Sequence, residues 1–387
     1  MMIMDININY FKGNVKMMNK KILNQFKKIK HVDNKGYKVQ GSYLEDECIF
    51  LLKDVTDEVI EISVEEKEKM IADGVNYSEM LSKEQPMKSE YNQLFVKLLN
   101  QNANKIAHYI GVMAECIYAK KGKDTVLVSL ARAGTPFGIL VKDYIELKYG
   151  VKVPHYSVSI IRGKGIDENA MVYILAKHQN AKIQFVDGWT GKGSITFELQ
   201  KAMKSFEEKY GVKVDDGLAV LADPARLSSI CGTREDIIIP NCCLNSTVSG
   251  LISRTYHNEE ILSENDFHGS KVYWELQDGD FSRCFLDRIR LELPNVNAKA
   301  VFFENENYGQ SVIDMIANEF DVKDKNKIKL SIGESSRVLL RRIPRVILVK
   351  NFDNPDLAHI IEMANDKGVE VRQYDKTDYE CISIIKE

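Results

Sequence analysis

Along this chain, short apolar runs rich in Val, Ile and Leu alternate with longer stretches where apolar residues return every third or fourth position. The longest such stretch is SEYNQLFVKLLNQNANKIAHYIGVMAECIYAKKG (89–122), whose spacing predicts a helix ending near Gly122. Beyond it the period switches repeatedly. TVLVSL (125–130), PHYSVSII (154–161), KIQFV (182–186) and GLAVLAD (217–223) read as strands. PFGILVKDYIELKYG (136–150), DENAMVYILAKH (167–178) and SITFELQKAMKSFEEKYG (194–211) read as the helices between them. The first of these has proline at its start and glycine just past its end. Strands alternating with helices predict a parallel α/β sheet, with ligands beyond the carboxyl ends of the strands.

Upstream, GSYLEDECIFLLKDV (41–55) offers short apolar runs, and SVEEKEKMIADG (63–74) is a charged, helix-like stretch. The polar run DVKDKNKIK (321–329) reads as a linker. A second alternation follows: helix near 334–342, strand 345–349, helix 355–368, strands 369–374 and 381–385. It predicts a small separate α/β domain. The expected division is an N-terminal extension (1–40), a main domain (41–320) and a C-terminal domain (326–387).

Composition narrows the class. A chain of 387 residues suits two or three domains of ~150 residues each. The net charge of −3 leaves no global pull toward nucleic acid, so only a local patch can bind it. No apolar run approaches the ~20 residues of a membrane span. The N-terminus, with Asp5 and no compact apolar block, is a poor secretion signal. Seven cysteines, an odd number with no C-x-x-C pair, argue against a disulfide framework or a structural zinc site. The expectation is a reduced, cytoplasmic protein with no membrane partner.

The most informative segment is AKIQFVDGWTGKGSI (181–195), an apolar strand, an acid, a glycine-rich turn and a helix start. A Walker A loop is excluded, because Val186 stands where its first glycine belongs and Gly193 follows Lys192. The dinucleotide pattern fails as well, its third glycine falling on Thr196. What remains suits a phosphate monoester held by backbone N–H groups at a helix N-terminus. Thr190 and Ser194 add hydroxyls, and Asp187 can hold sugar hydroxyls or hydrated Mg²⁺.

This segment resembles the signature of type I phosphoribosyltransferases, which use phosphoribosyl pyrophosphate (PRPP). SLARAGTP (129–136) resembles their pyrophosphate loop, and IIRGKGID (160–167) lies where they keep a mobile basic flap. The likeness spans residues 120–225. It departs from the family pattern in having one acid before the turn, a turn one residue shorter, and Gly193 in place of Thr or Ser. VSLARAGTP, VDGWTGKG and CLNSTVSGLISRT (243–255) together resemble the phosphoribosyltransferase-like proteins of bacterial tellurite-resistance and stress operons. That family adds a C-terminal Pelota-like RNA-binding domain, which LLRRIPRVILVKNFDNPDLAHIIEMANDKGVEV resembles. It also carries the label cysteine protease StiP.

The resemblance implies an α/β fold: a type I phosphoribosyltransferase-like parallel sheet with flanking helices, plus a Pelota-like α/β domain. It further implies transfer of ribose 5-phosphate from PRPP to an unidentified nucleobase-like acceptor, with Mg²⁺ on the leaving pyrophosphate. Arg132 is then expected to clamp pyrophosphate beside Ala131, Ala133, Gly134 and Thr135. Arg162 and Lys164 are expected to close over it, with Asp187 holding ribose and, indirectly, the metal. The 5′-phosphate is expected on Gly188, Thr190, Gly191, Lys192, Gly193 and Ser194. The alternative chemistry pairs Cys243 as nucleophile with His268 as base. A third reading is a non-catalytic nucleotide sensor or RNA-binding protein. In the tail, Arg337, Arg341, Arg342 and Arg345 are the expected RNA contacts, Arg337 and Arg341 sharing a helix face. Protein partners from the same stress operons are also expected.

Overall fold

The computed structural model describes residues 19–29 and 36–386, excepting the side chains of Val64 and Arg341. Most of the predicted N-terminal extension therefore lies outside the described residues.

A short helix, α1 (Lys20–Phe26), precedes strands β1 (Ile49–Leu51) and β2 (Lys53–Asp54) and helix α2 (Val64–Ala72). The predicted long helix is α3 (Ser89–Lys121). The alternating centre follows as β3 (Thr125–Ala131), α4 (Thr135–Tyr149), β4 (His155–Ile161), β5 (Gly165–Ile166), α5 (Glu168–Lys177), β6 (Lys182–Trp189), α6 (Ser194–Tyr210) and β7 (Leu218–Ala222). Then come β8 (Cys231–Thr233), β9 (Gly269–Ser270) and α7 (Ser282–Arg290). The main sheet runs β1-β4-β3-β6-β7-β8 with every neighbour parallel, while β5 pairs antiparallel with β4. This is the expected α/β architecture.

Parallel strands are covered on both faces, and their sequences show it. Along β3, Leu127 joins a core under α3, α4 and α7 that includes Phe95, Ile106, Phe137 and Phe285. Its neighbours Val126, Val128 and Leu130 join the opposite core, with Met171 of α5, Leu199 and Phe206 of α6 and Ile22 of α1. Period-two alternation thus decides which core each residue enters.

The C-terminal domain contains α8 (Tyr308–Glu319), β10 (Ile328–Leu330), α9 (Ile332–Arg341), β11 (Pro344–Val349), α10 (Ala358–Asp366), β12 (Glu370–Gln373) and β13 (Cys381–Ile385). Its sheet order is β10-β13-β11-β12. On β11, Val346 and Leu348 pack with Val312, Ile313 and Ile316 of α8. Ile347 and Val349 pack with Ile332, Leu339 and Ile360 of α9 and α10. Helix α8, N-terminal to the polar run 321–329, therefore shares this domain's core. Within that run, Ile328 is fully buried and pairs with Ile384.

One tight approach sets the geometry of the site. Gly134, at the start of α4, lies where an added Cβ would stand 2.3 Å from the Val186 carbonyl oxygen on β6. Backbone cannot yield as a flexible side chain can, so Gly134→Ala forces β3 and β6 apart. The expected cost is about 2–3 kcal/mol, on the scale of overpacking. Thermal unfolding checks it: an unchanged melting temperature would contradict the close approach.

Candidate functional site

Because β3, β4 and β6 are parallel, their carboxyl ends open on one side of the sheet. The loops predicted to hold chemistry, around 131–135, 162–164 and 190–193, meet there. The C-terminal domain closes over them. Tyr379 Oη donates to the Gly191 carbonyl at 2.9 Å. The guanidinium of Arg337 stacks on the Trp189 ring at 4.6 Å, and Gly333 lets α9 settle against that ring. Asp236 fastens the joint: it accepts from Ile332 N at 3.0 and 3.1 Å, and from Glu380 N at 3.0 Å. These bonds put a carboxylate at the N-terminus of α9, where the helix dipole favours negative charge.

Between the two domains lie three adjoining cavities of about 520, 330 and 610 Å³, and Arg254 lines all of them. The first holds the glycine-rich turn, the second reaches Arg132, and the third ends at Cys242 and Cys243. They form one cleft.

Strand β6 runs on through Asp187, Gly188 and Trp189, beyond the predicted end at Val186, so Asp187 is a strand residue. Its carboxylate accepts from its own Gly188 N at 2.8 Å. Burial raises it to about 6, with the Gly188 N–H and Arg337 opposing the shift. Thr190 donates its hydroxyl to Asp223, at the end of β7, and its N–H to Ala222 O. Gly191 faces Glu334 and the Leu330 carbonyl of the C-terminal domain. Lys192 Nζ reaches Asn326 at 3.3 Å. Gly193 adopts φ +86°, and an added Cβ there would meet Leu227 at 2.1 Å, so glycine is required before α6.

In the expected pyrophosphate loop, the Ala131–Arg132 peptide is cis. Arg132 does not stand free: it donates to Ile252 O at 2.7 Å and pairs with Glu84 at 3.5 Å. Glu84 also accepts from Ser246 N and Oγ. Thr135 is buried and shares a hydrogen bond with Ser157. The flap is pinned as well, with Arg162 N donating to Tyr77 Oη and Lys164 Nζ paired to Glu79 at 2.9 Å.

Cys243 and His268 have separate surroundings. His268 shares a hydrogen bond with Ser159 Oγ at 2.8 Å and packs edge-on to His257. Burial, with His257 and Lys164 nearby, takes it down to about 3. Cys243 Sγ lies 3.9 Å from Cys242 Sγ in the core that joins the domains. All seven cysteines are free thiols. Six are pushed up, chiefly by burial or, for Cys243, by its neighbour. Cys242 alone is held down, by the Cys243 thiol first, then by the Ser336 hydroxyl and the Arg337 charge. Ser336 Oγ in turn lies 2.8 Å from His359 Nε2. Burial takes His359 down to about 4, so it is neutral at pH 7.

In the tail, Arg337 and Arg342 line the cleft, whereas Arg345 donates to Phe320 O away from it. The side chain of Arg341 lies outside the described ones. Sequence reading passed over Glu84, Asp223, Asp236, Ser336 and His359. Asp223 carried a signal, an acid closing a predicted strand. His359 lies within the apolar helix pattern DLAHII and carried none.

Among the described residues no three His, Cys, Asp or Glu side chains converge on a metal position; the expected Mg²⁺ is one held through substrate or water beside Asp187, whose carboxylate accepts the Gly188 N–H.

Residues 41–290 match the family described as tellurite-like stress resistance cysteine protease StiP, and residues 307–387 match the PELOTA RNA binding domain. A protein of Acinetobacter baylyi (strain ATCC 33305 / BD413 / ADP1) named "Cysteine protease StiP" is 34% identical over 385 residues, covering 94% of this chain and 98% of the relative. These matches overturn the expected PRPP-dependent phosphoribosyl transfer. The geometry gives the physical reason: the expected pyrophosphate clamp is spent on Glu84, the expected ribose acid on its own backbone, and a second domain covers the glycine-rich turn. PRPP and a nucleobase acceptor fall with it. Among the described residues, no helix is long and apolar enough to cross a membrane. The chain belongs to the StiP family of tellurite-like stress resistance cysteine proteases, and carries a PELOTA RNA-binding domain at its C-terminal end.

Proposed function

We propose that this protein is a cysteine-dependent peptide hydrolase whose nucleophile is Cys242, with RNA bound through the C-terminal domain. One observation carries the hydrolase reading: Cys242 and Cys243, their sulfurs 3.9 Å apart, are the two of the seven thiols that line the interdomain cleft. A thiolate is the nucleophile, and of the two Cys242 is the one with the Ser336 hydroxyl beside it to support that form.

The roles follow from contacts. Ser336 Oγ, which donates to Ile332 O at 2.9 Å, must first turn its hydroxyl to His359 Nε2; the thiol proton then passes to Ser336 Oγ as the Ser336 proton passes to His359, and Cys242 Sγ attacks the peptide carbonyl. His359, then charged, returns a proton by the same path to the leaving amine, and water hydrolyses the thioester. Cys243 stabilises the thiolate with its S–H. The companion expectation, Cys243 as nucleophile with His268 as base, is separated from this one by single substitutions, considered below. Free thiols throughout favour a reducing compartment, consistent with a cytoplasmic setting. The parallel sheet with its glycine-rich turn is in this reading a phosphoribosyltransferase-type scaffold carrying a different chemistry.

Thiol alkylation tests the proposal. Brief iodoacetamide treatment of the native chain, read by peptide mass spectrometry, is expected to modify Cys242 ahead of Cys231 and Cys381 and to stop peptide hydrolysis in proportion. Full activity after complete Cys242 modification would end the proposal.

A further inference from the structure

We propose that the cleft between the domains holds the phosphodiester backbone of single-stranded RNA, gripped from both sides. This rests on the reading of the C-terminal domain as an RNA binder, and adds that the sheet domain supplies half of the contacts.

The charge balance points there. The cavity beside the glycine-rich turn is lined by Arg162, Lys192 and Arg254 from the sheet domain and by Lys329, Arg337 and Arg342 from the C-terminal domain. Only Asp187 and Glu334 oppose them. Among the described residues, Arg254 has neither a hydrogen-bond acceptor nor a carboxylate partner for its guanidinium, although it lines all three cavities. Burial and mutual repulsion with Arg162 also lower Lys192 and Lys329. Converging cations of this kind are relieved by an anion.

A second observation is independent of charge. Helix α6 begins at Gly193 without a side-chain cap, so its first N–H groups are open to an anion at the cleft. In that first turn Thr196 is 3% exposed, lines the same cavity, and its hydroxyl has no hydrogen-bond partner. A buried hydroxyl without a partner is costly. A phosphate oxygen over the turn would accept from it.

The shape favours a polymer over a single phosphate. The cavities beside the turn adjoin through Arg254 and reach Arg132, with volumes of about 520 and 330 Å³, roomier than one phosphate group needs, short of the cavity that holds Cys242 and Cys243. Trp189, held under Arg337, lines two of them.

The test uses the full chain and a fluorescein-labelled single-stranded RNA of mixed sequence, with anisotropy read across a salt series. The double variant Lys192→Gln, Arg254→Gln is expected to bind about tenfold more weakly or worse. Its salt slope should be flatter by about 1.4, two phosphate contacts at ~0.7 each. Arg254→Lys, which keeps the charge, should keep the slope, and Lys204→Gln on the exposed side of α6 should behave as the unaltered chain. If the double variant matches the unaltered chain in affinity and slope, RNA lies outside the cleft and the inference is wrong, while RNA binding itself stands. If the unaltered chain binds no RNA, both fall. Displacement by AMP as effective, per phosphate, as unlabelled RNA would replace the polymer with a small phosphate ester. Stronger displacement by polyglutamate would replace it with an acidic peptide.

Discussion

Cys242→Ala abolishes peptide hydrolysis, with kcat falling by about 10⁴ or more, the scale of removing a covalent nucleophile. Cys243→Ala costs far less, about tenfold, because it removes one hydrogen bond to the thiolate rather than the attacking atom. The two sulfurs are 3.9 Å apart and equally buried, so packing loss is nearly the same in both variants and the contrast isolates chemistry. His359→Gln lowers kcat by about 10²–10⁴ with little change in KM, as expected for loss of a proton acceptor. His268→Gln leaves turnover intact, since its contacts are Ser159 and His257. A dead Cys243→Ala beside an active Cys242→Ala would move the nucleophile by one residue. A dead His268→Gln would move the base to His268.

The second large effect concerns the joint. Asp236→Ala leaves the N–H groups of Ile332 and Glu380 without their acceptor at a buried boundary. Each buried N–H left without an acceptor costs about 1–3 kcal/mol. The expected loss of about 3 kcal/mol shifts the docked-to-undocked ratio about a hundredfold. Limited proteolysis within 296–307 should accelerate, and hydrolysis should fall with it because Ser336 and His359 leave Cys242. The pH dependence has a definite sign. Burial raises Asp236 from its ordinary 3.8 to about 7, so the docked form holds the proton more tightly than the undocked form. This group's contribution to docking is therefore greatest below pH 3.8 and is lost as pH rises to about 7. Asp236→Asn keeps an acceptor for Ile332 N and should remain docked, with that dependence flattened. An Asp236→Ala chain as resistant to protease as the unaltered one would show that the apolar contacts of Ile332 and Leu339 suffice.

Strong periodicity made the central sheet legible. TVLVSL, PHYSVSII and KIQFV show the unbroken apolar character of strands buried on both faces, and each forms a strand where expected. Strand β10 was not legible, because its three residues sit among lysines and only long-range pairing with β13 orders them. The glycine-rich turn was read correctly as a loop at a helix start, yet its chemistry was not. What overrides the phosphate-transfer reading lies far away in sequence: Glu84 on Arg132, Tyr379 on Gly191 and Asp236 under α9. Local spacing cannot encode such contacts. Cys242 illustrates the same limit in part: its largest influence is the adjacent Cys243, but the Ser336 hydroxyl and the Arg337 charge arrive from the far end of the chain.

The path from Cys242 through Ser336 to His359 begins in one family match and ends in the other. Neither module, expressed by itself, then amounts to a working enzyme, and a tail borrowed from another protein would restore nothing unless it brought a serine and a histidine to the same places. On the proposed path, inheritance of the two as one gene keeps the nucleophile and its base together.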